Sequence, residues 1–166
     1  VGAWGMSTGL IYPPSCFAKT DEIVELARVL PRYGGIYFSH IRGEGNTLLE
    51  AVKEAIEVGE KACVPVQIAH FKASGKPYWG KTRESHRLVE EARGKGIDVT
   101  FDQYPYIASS TGLTALLPHW VHEGGADRLL ERLRDKEIRE KIACEPTELR
   151  WELDGIMIVL ARNHPQ

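Results

Sequence analysis

Four short apolar runs, each followed by an amphipathic stretch, constrain the fold of this chain more than any other feature of its sequence. Alternating strand and helix signals are typical of βα units, which build a parallel sheet. The sequence therefore predicts an α/β fold, with four successive βα units that suit either half of a TIM barrel or a doubly wound sheet. The predicted strands are Ala3–Thr8, Ile36–Ile41, Val64–His70 and Ile97–Gln103.

The intervening stretches carry apolar residues at helical spacing, and each is preceded by a side chain that can cap a helix. From Gly112 onward the pattern becomes helical and highly charged, and Arg128–Lys141 predicts one solvated helix. The apolar run Gly155–Leu160 is strand-like. The predicted caps are Thr20, Asn46 and Thr82.

Length and composition exclude several classes of protein. A chain of 166 residues can bury one core but not two. The net charge of −2 argues against a nucleic-acid or anionic membrane partner, and no apolar run reaches the roughly 18 residues of a membrane span. Three cysteines without paired spacing favour a reduced, cytoplasmic protein. Because the chain opens on Val1 and both ends look cut, we expect residues 1–166 to be an internal piece of one larger domain.

Polar residues close each predicted strand, at the edge where function gathers in parallel sheets. His40 and His70 end neighbouring strands one βα repeat apart, so we expect them to face a common mouth. Neutral imidazoles held by rigid strands are common ligands of Zn²⁺. Strand-end histidines are also often hydrogen-bonded structural residues, and residue chemistry alone leaves these two interpretations about evenly balanced.

Several ordered blocks, spread over nearly all of the chain, resemble the N-acyl-D-amino-acid deacylases. That resemblance implies a metal-dependent amidohydrolase built on a TIM barrel, with Zn²⁺ or another divalent metal as cofactor and N-acyl-D-amino acids as small-molecule substrates. The blocks are GMSTGLIYPP from Gly5, YFSHIR from Tyr37, VPVQIAHFK from Val64, KPYWGK from Lys76, DQYPY from Asp102, ASST from Ala108 and EGG from Glu123.

The resemblance also implies roles for individual residues. His40 and His70 match metal ligands, while Lys72, Tyr104 and Ser110 match positions that contact the substrate carboxylate. A lysine supplies a point charge to a carboxylate, and hydroxyls supply directional donors. The family's His-x-His motif and its aspartate general base have no counterpart in this sequence, so no catalytic residue beyond the metal ligands is predicted.

Two alternatives stay open at this stage. The parent protein could be another amidohydrolase, such as a dipeptidase or a cyclic-amide hydrolase, or the chain could be a non-catalytic folded fragment or binding module. Half a barrel leaves two open sheet edges, so we expect the isolated chain to self-associate and to be inactive.

Four further residues are interpreted individually. Cys16 is interpreted as structural and His86 as solvent-exposed. Asp102 either orients a ligand histidine or orders a loop, and both interpretations are kept. If Cys63 ends a helix in a left-handed conformation, it costs roughly 1 kcal/mol relative to glycine.

Overall fold

The computed structural model describes residues 2–145, whose strands form one parallel sheet in the order β1-β2-β3-β4. This topology confirms the predicted βα repeats and the α/β class. Gly155–Leu160 lies outside the described residues. The strands are β1 (Gly5–Gly9), β2 (Ile36–His40), β3 (Val66–Ile68) and β4 (Val99–Phe101). The α-helices of the described part are α1 (Thr20–Ala27), α2 (Leu48–Ala62), α3 (Thr82–Gly94), α4 (Gly125–Arg134) and α5 (Lys136–Cys144).

The sheet has one covered face and one open face. Tyr37, Val66 and Val99 are paired across β2, β3 and β4, and each is at most 1% exposed because it joins the hydrophobic core with α2 and α3. Their neighbours in sequence point the other way, since side chains alternate along a strand. Phe38, aligned with Gln67, is therefore on the open face and is 37% exposed.

The first strand begins later than the sequence predicts. It starts at Gly5 rather than Ala3, and Trp4 is exposed. A side chain at position 5 would collide with the carbonyl oxygen of Ile36, so β1 approaches β2 this closely only because Gly5 has no Cβ.

All three predicted helix caps are wrong by one residue. The N-cap positions are Lys19, Thr47 and Lys81, and none of them makes a side-chain capping bond. The hydroxyl of Thr20 instead donates to Glu54 of α2 at 2.8 Å, so this side chain ties two helices together.

The charged C-terminal run forms two helices where one was predicted. Asp135 separates α4 from α5, and its carboxylate accepts the backbone N–H of Ile138 at 3.1 Å, which caps α5. At the end of α2, Cys63 has φ of 52°, so the left-handed conformation considered from the sequence is present. Within residues 2–145, no helix combines the length and apolar character needed to cross a bilayer.

Candidate metal centre

The two strand-end histidines meet at the carboxyl edge of the sheet. His40 ends β2, and His70 lies two residues beyond β3. Nδ1 of His40 and Nε2 of His70 are 2.9 Å apart, and the two rings are nearly perpendicular. The structure thus brings together the two imidazoles that the sequence predicts to face one mouth.

The backbone at His70 is held in an unusual conformation. Its φ is 38°, a region that non-glycine residues seldom adopt and that persists where neighbours fix it. Asp102 provides that fixation, because its carboxylate accepts the N–H of His70 at 2.7 Å and the side-chain amide of Gln67 at 3.0 Å. Asp102 therefore orders the loop through the backbone, and it sets the direction of the His70 ring only indirectly.

A buried carboxylate completes the group. Glu44 follows β2 in the loop before α2, and the residue is 7% exposed. Its Oε1 lies 2.9 Å from Nδ1 of His70 and 2.7 Å from Nζ of Lys72. The hydroxyl of Ser74 donates to its Oε2 at 3.2 Å. Sequence analysis missed Glu44; the available signal was an acidic side chain between two glycines, four residues beyond His40.

The local environment favours neutral His40 and ionised Glu44. Burial lowers the pKa of His40 to about 4, and the charges of His70 and Lys72 add to the effect while Glu44 opposes it. For Glu44, burial acts to raise the pKa, but the hydrogen bond from His70 and the charge of Lys72 outweigh it, so the pKa is below its ordinary value. A neutral imidazole beside a carboxylate is a donor set that suits a divalent cation.

The structure places the other two predicted contact residues, Tyr104 and Ser110, differently with respect to this group. Nζ of Lys72 is 5.4 Å from the ring centroid of Tyr104, so these two side chains are neighbours. Ser110 is exposed, and in the described part of the chain it makes no hydrogen bond to the histidines or to Glu44. The adjacent Thr111 does reach the site indirectly, because its hydroxyl is 2.8 Å from that of Tyr12, whose ring lies 5.1 Å from that of His40.

Cys16 and His86 lie apart from the candidate ligands. The carbonyl of Cys16 accepts a hydrogen bond from Arg42, and burial raises the pKa of its thiol. His86 is exposed on α3, and its ring is nearly perpendicular to that of Phe101. Neither belongs to the group of described side chains that could hold a metal ion. That group is His40, Glu44 and His70, which offer one ligand atom each, all within 4.8 Å of one another.

The residues present fit a divalent ion. An imidazole nitrogen binds zinc at about 2.0–2.1 Å, so two of them in a tetrahedral site are separated by about 3.3 Å. The two histidine nitrogens, at 2.9 Å, need to part only slightly to accept an ion between them. The pair lies at the carboxyl edge of a parallel α/β sheet, which is where functional sites gather in such folds.

Several known proteins are similar to this chain in sequence and in fold. D-aminoacylase of Alcaligenes xylosoxydans xylosoxydans is 46% identical over 112 residues, which make up 68% of this chain and 23% of that protein. A D-aminoacylase crystal structure described as defining a novel subset of amidohydrolases superimposes with a TM-score of 0.63 at 42% identity, covering 65% of this chain and 23% of that one.

A second solved structure is also similar. N-acyl-D-glutamate deacylase of Bordetella bronchiseptica, in complex with zinc and a phosphonate that mimics the tetrahedral intermediate, gives a TM-score of 0.62 at 35% identity. The match covers 63% of this chain and 22% of that one. No protein-family model matches the chain. The matched segment belongs to the N-acyl-D-amino-acid deacylase family of amidohydrolases, and the chain spans just under a quarter of the length of these relatives.

Proposed function

We propose that this protein is a zinc-dependent hydrolase that cleaves the amide bond of N-acyl-D-amino acids. The observation that carries the proposal is the 2.9 Å approach of His40 Nδ1 to His70 Nε2 at the carboxyl edge of the sheet, with Lys72 beside them. The relatives support it, since they include D-aminoacylase and a zinc-containing N-acyl-D-glutamate deacylase. On this proposal, residues 1–166 contribute about half of a single TIM-barrel domain in a cytoplasmic enzyme.

His40 and His70 would hold the metal ion. A divalent ion held there would supply Lewis-acid catalysis and the activation of water. Burial keeps His40 neutral at physiological pH, which leaves a lone pair for the ion. Catalytic zinc usually has three protein ligands. We therefore propose that further ligands and the general base come from parts of the whole protein that correspond to the unmatched regions of its relatives.

Lys72 would bind the carboxylate of the substrate. Its ammonium group has three donors, and its side chain is 20% exposed, so it faces both the buried Glu44 and the open mouth of the site. Tyr104, whose ring neighbours Lys72, and Ser110 would supply hydroxyl donors to the same carboxylate. An acylated amino acid would then be held by its carboxylate while its amide reaches the metal.

The experiment compares an N-acyl-D-amino acid with its carboxamide in the intact enzyme. Lys72→Met should lower kcat/KM for the carboxylate substrate roughly ten- to a hundredfold more than for the carboxamide, because a charge-assisted hydrogen bond contributes about 1.5–3 kcal/mol. Lys76→Met, which removes an exposed lysine from the same loop, is the matched control. An unchanged ratio of the two substrates in Lys72→Met would remove Lys72 from the binding role.

A further inference from the structure

The carboxylate of Glu44 contacts three polar side chains. One oxygen, Oε1, contacts both Nδ1 of His70 and Nζ of Lys72, at 2.9 Å and 2.7 Å. The other, Oε2, accepts the Ser74 hydroxyl at 3.2 Å. The backbone N–H of Ser74 also donates to the Glu44 carbonyl at 2.8 Å, so the loop that carries this carboxylate is fixed as well.

The two nitrogens of the His70 ring face different partners. Nε2 faces His40 at 2.9 Å, whereas Nδ1 lies 2.9 Å from both Oε1 of Glu44 and Nζ of Lys72. An ion shared by the two histidines must lie on the Nε2 side of the ring, and Glu44 lies on the opposite side. To bind that ion directly, Glu44 would have to turn away from Nδ1 of His70, at 2.9 Å, and from Nζ of Lys72, at 2.7 Å.

The direction of the hydrogen bond at Nδ1 follows from the donors and acceptors present. Lys72 donates to Glu44 and also to the carbonyl of His70 at 3.1 Å, so its ammonium does not depend on the imidazole for an acceptor. A carboxylate can only accept, and it therefore takes the proton on Nδ1 of His70. Donation from Nδ1 to Glu44 leaves the lone pair on Nε2, the nitrogen that faces His40.

We propose that Glu44 is a positioning residue that joins the metal centre to the carboxylate-binding group, and that it does not itself bind the metal. A single oxygen sets the orientation of the His70 ring and the place of the Lys72 ammonium, so the separation between metal and substrate carboxylate depends on Glu44. The inference rests on the proposed function, because it assigns His70 to the metal and Lys72 to the substrate. Carboxylates that hold the far nitrogen of a ligand histidine are a general feature of metal sites.

The test uses Glu44→Gln, with Glu50→Gln on the exposed face of α2 as the matched control. Zinc affinity is measured by titration calorimetry with Zn²⁺ alone. We expect Glu44→Gln to weaken zinc binding about ten- to a hundredfold, and Glu50→Gln to leave it unchanged. Unaltered zinc affinity in Glu44→Gln would overturn the proposal.

Two spectroscopic readouts separate a positioning role from a ligand role. At saturating Co²⁺, the visible absorption spectrum should keep its shape and intensity in Glu44→Gln, because the set of ligands is the same. A spectrum altered as for the loss of a ligand would show that Glu44 binds the ion. In long-range ¹H–¹⁵N NMR spectra of the wild type recorded without metal, His70 should be protonated at Nδ1, and protonation at Nε2 would contradict the positioning role.

A second variant guards against a folding defect. Glu44→Asp keeps the charge but is one methylene shorter, so it cannot contact His70 and Lys72 at their present positions. A positioning role predicts weaker zinc binding in this variant too, whereas wild-type affinity would contradict it. If wild-type protein binds no zinc, the proposed function fails, but the wild-type tautomer of His70 still decides whether Glu44 holds the ring.

Discussion

The loop between His40 and α2 depends on a second charged side chain, Arg42, and replacing it with methionine should destabilise the protein strongly. Its guanidinium forms a bidentate pair with Glu54 at 2.8 and 2.9 Å. It also donates to the carbonyls of Cys16 and Ala18 at 2.8 and 2.9 Å. These four bonds tie the β1–α1 loop and the β2–α2 loop to helix α2, directly beside the candidate metal centre.

The magnitude follows from burial. Side-chain exposure is 30% for Arg42 and 12% for Glu54, so the pair is largely removed from solvent. Breaking a fully buried pair costs about 3–5 kcal/mol, and partial exposure of the arginine reduces this to about 2–4 kcal/mol for Arg42→Met. The methionine retains much of the apolar stem. Most of the loss therefore reflects two carbonyls left without their donor and a buried carboxylate that keeps the Thr20 hydroxyl but loses its charged partner.

The assay is urea unfolding at pH 7, with Arg128→Met as the control. Arg128 pairs with Glu131 at 2.7 Å, but the two side chains are 67% and 56% exposed. Exposed pairs contribute only about 0–1 kcal/mol, so the control should unfold nearly as the wild type does. Equal losses in the two variants would refute the argument that burial makes the Arg42 pair strong.

Two further predictions concern the core and the pH dependence of stability. Gly59→Ala should lower the free energy of unfolding by about 1–3 kcal/mol, because the new Cβ would lie 2.5 Å from Cγ2 of Val66. Gly94→Ala is the control, because its new Cβ meets nothing within 4 Å, and it should be neutral or stabilising in the same urea assay. Because burial lowers the pKa of His40 from 6.5 to about 4, the unfolded chain binds more protons between these pH values. The free energy of unfolding should therefore fall as the pH is lowered from 6.5 to 4. His40→Gln should flatten this pH dependence, and an equally steep dependence in that variant would contradict the role of His40.

Much of the fold could be predicted from sequence periodicity, but its exact boundaries could not. The strand at Ile36–His40 was predicted to within one residue, because it follows the helix stop at Gly34–Gly35 and ends in polar residues. The start of α1 was misplaced because Thr20 can cap a helix when only its local sequence is considered. Its actual partner, Glu54, is 34 residues away, and such a tertiary contact leaves no local signal.

The sequence predicts only part of the candidate site, because tertiary contacts leave no local signal. The spacing of His40 and His70 by one βα repeat predicts their approach, since equivalent positions on adjacent parallel strands lie side by side. Glu44 could not be identified from spacing, because its position depends on how a glycine-flanked loop folds back over β3 and meets Ser74. The left-handed backbone of His70 likewise depends on Asp102, 32 residues further along the chain.

The central claim is that His40 and His70 bind one metal ion together, and zinc titration of three histidine variants tests it most directly. Calorimetry with Zn²⁺ is carried out on wild type, His40→Ala, His70→Ala and the exposed control His86→Ala. We predict one zinc site in the wild type and in His86→Ala, with affinity greatly reduced in both of the other variants. Equal zinc affinity in His40→Ala and His86→Ala would contradict the claim.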